Sequence, residues 1–316
     1  MDSESEGLAI LSLLGLHGVG PARVGKVIAW ARERERPLGA LLERPDRADL
    51  PLTSDQIQGL RASAERAALW GDKLHEVGAT LIPITDARYP STLRRHLGAI
   101  APPVLTAIGN PSVLGAGGVG FCGSRAASEK GLQVATDCTS QLARAHINVV
   151  SGYAAGVDMA AHEAALRAGG KTVFVLAEGI LHFKIKRAIE GAWDPERVVV
   201  VSEFLPDSVW SVHNAMRRNR TICGLSQAVV LIEARPDGGS IAAGKASLHL
   251  GIPLFAAVFE GSPASAAGNR ELLKGGARQL LRNKSTGRAN ILPILDVLKA
   301  SASTTGPEAA PLLASR

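Results

Sequence analysis

Three times along this chain, an apolar run of strand length meets a glycine turn and then a stretch with helical spacing. Residues 119–122 lead into Gly123-Ser124-Arg125 and a helical pattern over 128–145. Residues 147–150 lead into Ser151-Gly152-Tyr153-Ala154-Ala155-Gly156 and a helix over 157–168 that stops at Gly169-Gly170. Residues 228–233 lead into Asp237-Gly238-Gly239-Ser240, a helix through Leu250, a stop at Gly251 and a further strand over 253–258. A glycine turn lets backbone approach a ligand closely, and the free N–H groups and positive dipole end of the following helix favour an anion. One glycine after a strand is ordinary turn chemistry. Three of them on parallel strands would converge on one crevice at the strands' carboxyl ends, and Arg125 in the first turn points to phosphate.

The alternation extends on both sides. Strands are expected near 104–108, 119–122, 147–150, 172–177, 198–203, 229–233 and 254–258, with helices between most of them. Runs such as Val198-Val199-Val200-Val201 suit strands buried on both faces. The predicted class is α/β, a Rossmann-like, mainly parallel sheet with helices on both faces, preceded by a small all-helical N-terminal domain. Predicted boundaries are 1–80 for the helical domain, 81–300 for the sheet domain, and 301–316, rich in Ser, Thr, Ala and Pro, for a disordered tail. Within the helical part, residues 15–22 (Gly-Leu-His-Gly-Val-Gly-Pro-Ala) ahead of a helical stretch over 23–31 resemble a helix-hairpin-helix, a glycine hairpin whose N–H groups meet a nucleic-acid phosphate. A helical domain that binds nothing is an equally open reading of those residues.

With 46% hydrophobic and 20% charged residues in 316, the chain has the composition of a globular protein. No apolar run reaches membrane-spanning length, and the acidic start is unlike a secretory signal, so a cytoplasmic protein without a membrane partner is expected. Cys122, Cys138 and Cys223 are scattered in apolar surroundings and read as reduced core residues, with neither a disulfide framework nor a metal site. The net charge of +6 is compatible with a polyanionic partner without establishing one.

Longer motifs follow in order: Gly123-Ser124-Arg125; Val149-Val150-Ser151-Gly152-x-Ala154-x-Gly156-Val157-Asp158-x-x-Ala161-His162; Gly169-Gly170-Lys171-Thr172; Ser202-Glu203-Phe204; Arg218-Asn219-Arg220-x-Ile222-x-Gly224-Leu225-Ser226; Glu233-Ala234; and Gly239-Ser240. In this order they resemble the DNA-processing protein A family (DprA, also called Smf), over residues 85 to 282. The resemblance implies a Rossmann-like domain that binds single-stranded DNA, forms a homodimer, helps load a RecA-type recombinase in natural transformation, uses no cofactor and is not known as a catalyst. It would place Arg125 on a DNA phosphate, Ser151, Gly152 and Gly156 along the same pocket, and Arg218 and Arg220 on an extension of the positive surface. Gly123, Ser124, Lys184, Asn219, Gly239 and Ser240 complete the candidate DNA-binding set. Arg125 as a structural ion-pair partner, and Arg218 and Arg220 as cover for a helix surface, are the competing readings. Asp158 and His162 share a helix face. An acid–base pair beside a phosphate pocket could hydrolyse, but with no nucleophile beside them the structural reading is preferred. Glu178 and Glu233, at strand ends, are expected to accept hydrogen bonds from loop N–H groups.

The chain also departs from the family pattern. Leu181-His182-Phe183-Lys184 stands where members carry Tyr-Pro, Ala215-Met216 where they carry Phe-Pro, and Gly239-Ser240-Ile241-Ala242-Ala243-Gly244 where Gly-Ser-Leu-Ile-Thr-Ala is common. With 4% aromatic residues, base stacking has few candidates: Tyr153, Phe183, Phe204 and Trp210. A divergent member lacking the C-terminal winged helix is expected. The alternative is a nucleotide-binding sensor or phosphoribohydrolase of the wider superfamily. Such hydrolases need an acidic residue on the helix after the third glycine turn, and residues 241–250 contain none.

Overall fold

The near-continuous Val/Ile runs form the inner strands of one sheet, because their side chains are apolar on both faces and require cover on both. The computed structural model describes residues 3–43, 50–261 and 263–304. Four helices come first: α1 (Ser3–Leu14), α2 (Pro21–Glu33), α3 (Leu38–Glu43) and α4 (Ser54–Glu76). Then follow β1 (Thr80–Pro83), α5 (Ser91–Leu97), β2 (Val104–Gly109), β3 (Val119–Cys122), α6 (Glu129–Arg144), β4 (Val149–Ser151), α7 (Val157–Arg167), β5 (Thr172–Val175), α8 (Arg187–Glu190) and β6 (Val198–Ser202). The last part comprises α9 (Val212–Leu225), β7 (Ala228–Leu231), α10 (Gly239–His249), β8 (Leu254–Ala257), α11 (Ala267–Lys274), β9 (Arg278–Leu280) and α12 (Leu292–Thr304).

The nine strands lie in the order β1-β2-β6-β5-β4-β3-β7-β8-β9. All pairings from β6 to β9 are parallel, and β1–β2 and β2–β6 are antiparallel. The expected α/β sheet with helices on both faces is present. On β5, Phe174 faces one apolar cluster while Val173 and Val175 face another, and on β6 Val198 and Val200 alternate with Val199 and Val201 in the same way. Helices α6 and α7 cover Val119 and Phe121 of β3, whereas α9 and α10 pack into the cluster containing Cys122.

Two strands escaped the sequence reading. β1 (Thr-Leu-Ile-Pro) and β9 (Arg-Gln-Leu) are edge strands too short to show an alternation. Residues 301–304 end α12 instead of opening a tail, and residues 305–316 lie outside the described residues. The apolar contacts run across residue 80: Ile10, Leu11, Leu60 and Trp70 of the N-terminal helices share one cluster with Leu81, Val104, Phe174 and Val200. All three cysteines are buried and free. Among the described residues, no helix is long and apolar enough to cross a membrane.

His162 on α7 fixes the loop that leaves β4. Its ring stacks on Phe174 with centroids 3.7 Å apart. Nε2 lies 2.7 Å from the Gly152 carbonyl oxygen and Nδ1 2.7 Å from the Thr172 hydroxyl. A carbonyl can only accept, so the neutral ring carries its proton on Nε2, and Nδ1 is left as an acceptor facing the Thr172 hydroxyl, whose single proton it shares with the Val149 carbonyl 3.0 Å away. Full burial opposes a second proton and pushes the pKa down from 6.5 to about 3. The unfolded ring takes that proton near 6.5, so this stability is complete above that pH and is lost as pH falls toward the folded value. The excess stability of the wild type over His162→Gln should therefore shrink by roughly 1.4 kcal/mol per pH unit between about pH 6 and pH 4. Urea unfolding of both proteins at several pH values measures it, and a pH-independent difference would contradict the neutral buried imidazole.

Candidate nucleic-acid interface

Strand β3 is followed in space by β4 on one side and by β7 on the other, so the sheet order reverses between β3 and β7. The loops leaving these two strands part there and open a cleft of about 400 Å³. Residues 122–126 after β3 and Arg235 with residues 237–240 after β7 form its two sides. Ala154 and Asp158, the Trp210 and Val212 segment, and Ala215, Met216, Arg218 and Asn219 of α9 also line it.

Glycines bring these pieces together at two decisive places. Gly156 precedes α7 at φ +75°, and a Cβ there would sit 2.3 Å from the Ser124 carbonyl oxygen. The β3 loop and the start of α7 can touch only without a side chain. At Gly152 a Cβ would fall 1.7 Å from Nη1 of Arg218, so that guanidinium lies directly against the backbone after β4.

Arg218 is consequently not part of an exposed positive surface, which corrects the sequence reading. Its side chain is 7% exposed, with Nη1 donating to the Val175 carbonyl at 2.8 Å and lying 3.9 Å from Oδ2 of Asp158. Its Nε–H has no acceptor in the structure. Burial pushes the Asp158 carboxyl above its ordinary range, against the pull of the Arg218 charge. Asp158 is thus engaged by Arg218 and by the Ala154 N–H at 3.4 Å, and His162 by Gly152 and Thr172, which is the preferred structural reading of that pair. The period-3.6 spacing of α9 could have signalled Arg218's burial: it lies four residues before Ile222, on the helix's inner face.

The remaining candidates divide. Gly123, Ser124, Arg125, Asn219, Gly239 and Ser240 all line the cleft. Asn219 donates from Nδ2 to the Gly239 carbonyl at 3.0 Å, tying α9 to the third glycine turn. Ser151 lies in β4 and donates to the Phe121 carbonyl at 2.7 Å, a tie between strands and not a wall of the cleft. Gly152 and Gly156 act from behind it, through the close approaches above. Lys184 is exposed outside the lining, its carbonyl accepting from the Tyr153 hydroxyl at 2.8 Å. Arg220 faces a different depression.

The helix ends also differ from expectation. The start of α6 is already occupied: Ser128 Oγ accepts from the Gly131 N–H at 3.0 Å, and Glu233 accepts both the Ser128 N–H, at 3.0 Å, and its hydroxyl. Glu233 therefore plays its expected role, while Glu178 contributes a main-chain carbonyl to Ser202 at 2.6 Å. The open helix end in the cleft belongs to α10, whose cap residue Gly238 supplies no side-chain acceptor to the N–H groups behind Gly239 and Ser240.

Arg125 stands exposed at the rim, its guanidinium carbon 5.3 Å from the centre of the Trp210 ring, and no described carboxylate lies within ion-pair distance. Two cations escaped the sequence reading. Arg235 is exposed on the opposite lip, and its position at the end of β7 was the available signal. Lys186 donates to the Tyr153 carbonyl at 2.6 Å with Nζ 3.9 Å over that ring; burial lowers its pKa against the fields of Asp158 and Glu178. Of the four stacking candidates, Phe204 is buried and Tyr153 and Phe183 pack against each other at 5.4 Å, whereas Trp210, 46% exposed, presents its ring at the cleft.

Residues 80–288 match the family model described as DNA recombination-mediator protein A. The chain is 30% identical to the DNA processing protein DprA of Bacillus subtilis over 207 residues, 65% of this chain and 69% of that one. It is 29% identical to the protein Smf of Escherichia coli over 277 residues, 85% of this chain and 70% of that one. The X-ray structure of DprA from Streptococcus pneumoniae superposes with a TM-score of 0.72 at 25% identity, covering 89% of this chain and 95% of that one. DNA processing protein A from Helicobacter pylori, described by its single-stranded DNA binding mode, shares the fold at a TM-score of 0.57 and 22% identity over 72% of this chain and 96% of that one. With the ordered glycine turns placed around one switch-point cleft, the chain belongs to the DNA-processing protein A (DprA/Smf) family of recombination mediators.

Proposed function

We propose that this chain binds single-stranded DNA by its phosphates in the β3/β7 cleft, as a cytoplasmic homodimer that passes the strand to a RecA-type recombinase. Arg125 carries this reading: an exposed guanidinium, free of any described carboxylate partner, held at the mouth of a cleft whose facing side carries the open N-terminus of α10. Arg235 on the facing lip adds a second exposed cation. Phosphate contacts of this kind carry no sequence information, so binding is sequence-tolerant. The exposed Trp210 ring beside Arg125 gives a base a surface on which to stack. The same property in the Helicobacter pylori relative supports the assignment.

A non-catalytic role agrees with the state of the polar groups. Asp158 and His162 are buried and engaged with Arg218, Gly152 and Thr172, and α10 offers no carboxylate above the third turn. Nucleoside monophosphates incubated with the protein should remain intact. Chromatographic detection of released base would favour the hydrolase alternative.

Two arginines of one cleft should behave oppositely. Arg125→Ala should cost roughly 1.5–3 kcal/mol of single-strand affinity, about ten- to hundredfold, with little change in melting temperature. Arg125→Lys should recover part of it, since a point charge replaces a planar fork. Arg218→Ala should instead destabilise the fold by roughly 3 kcal/mol, by leaving Asp158 buried without its partner. Melting curves and fluorescence-anisotropy titrations on the same preparations separate the two, and undiminished affinity in Arg125→Ala would overturn the reading.

A further inference from the structure

Helix α9 separates two clefts. Arg218 and Asn219 face the first. Arg217 and Arg220, within two residues of them, face a second depression of about 500 Å³ whose far wall is the hairpin at Gly18 and Gly20 and the opening turns of α2, with Arg23 and Lys26. Glu203 also lines it, but that carboxylate is engaged by Nε of Arg217 at 2.7 Å and the Thr221 hydroxyl at 2.5 Å. Glu203 and Arg217 cancel. Arg23, Lys26 and Arg220 remain, all exposed and none within ion-pair distance of a described carboxylate.

Three unpaired cations from two distant segments, converging on one concavity, create a field that favours a polyanion. The hairpin adds to it: Gly20 caps the 13-residue α2 without a side-chain acceptor, and although Pro21 has no N–H and the Arg23 N–H bonds the Gly20 carbonyl at 3.0 Å, the helix's positive dipole end faces the same space. The hairpin is also held in place. Gln56 of α4 donates from Nε2 to the His17 carbonyl at 3.1 Å, and Val19 and Val24 are buried beneath it.

We propose that this second cleft is a DNA-phosphate site, and that a single strand seated in the β3/β7 cleft crosses α9 into it. The inference rests on the reading of the first cleft. A helix with its side chains is about 10–12 Å across, a span that a few nucleotides of extended strand cover. Arg218-Asn219-Arg220 then serves two sites: Arg218 and Asn219 shape the first, and Arg220 belongs to the second.

The test uses the full chain, its Arg23→Ala/Lys26→Ala double variant, Arg220→Ala and Arg125→Ala, titrated with oligothymidylates of about 6 and about 20 nucleotides between about 50 and 200 mM salt. The double variant should bind the long strand about tenfold more weakly, with a salt slope shallower by about 1.4, corresponding to two lost phosphate contacts. Its affinity for the short strand and its melting temperature should match the wild type. Arg220→Ala should likewise weaken only the long strand, with a salt slope shallower by about 0.7 for one lost contact, whereas Arg125→Ala should weaken both lengths. Unchanged long-strand affinity and slope in the double variant, with Arg125→Ala still impaired, would overturn the second cleft alone. Equal loss on the short and the long strand in the double variant would overturn the crossing strand. Absence of salt-dependent binding by the wild type would overturn both clefts.

Discussion

Strands β3 and β7 run side by side, yet the chain proceeds from β3 toward β4 and from β7 toward β8 on the opposite flank. Their outgoing loops must separate, and no helix can close the gap above them. Everything at the cleft follows from this reversal. Residues 123–126 and 235–240 become its two sides, α10 points its open end inward, and α9 runs alongside with Arg218 and Asn219 turned toward it. The packing behind is tight because Gly152 and Gly156 have no side chain, which lets Arg218 and the Ser124 carbonyl approach the backbone.

The cleft therefore contains two kinds of positive charge. Arg218 is buried and spends its charge on Val175 and Asp158, keeping β4, β5, α7 and α9 in register. Arg125 and Arg235 keep theirs for solvent or ligand. Removing the first disturbs a fold, since a buried carboxylate loses its partner, while removing the second alters only what the fold can hold. Between them they explain how one cleft contributes both to stability and to recognition.

Much of this was legible in the residues. Near-continuous valine runs and glycine stops marked the inner strands and their helices, and the three turns foretold a crevice at the strand ends. Other features depend on tertiary contacts that no local pattern encodes. Ser151 looks like a loop hydroxyl until Phe121 is seen across the strand pair. The first turn resembles a helix-end anion site until Glu233, from a strand a hundred residues later, is found occupying the start of α6. Arg220 and the Gly18–Gly20 hairpin are separated by 200 positions in sequence, and only the packed structure shows that they face each other. Edge strands β1 and β9 are three or four residues long, too short for periodicity to register.

The central claim is that exposed cations around a switch-point cleft hold the backbone of a single strand. The most direct measurement compares labelled single-stranded and duplex oligonucleotides of equal length, binding to the full chain across a series of salt concentrations. Tighter binding to the single strand is expected, with a log affinity that falls linearly with log salt as phosphate counterions are released. Equal or tighter binding to the duplex, or an affinity independent of salt, would contradict it.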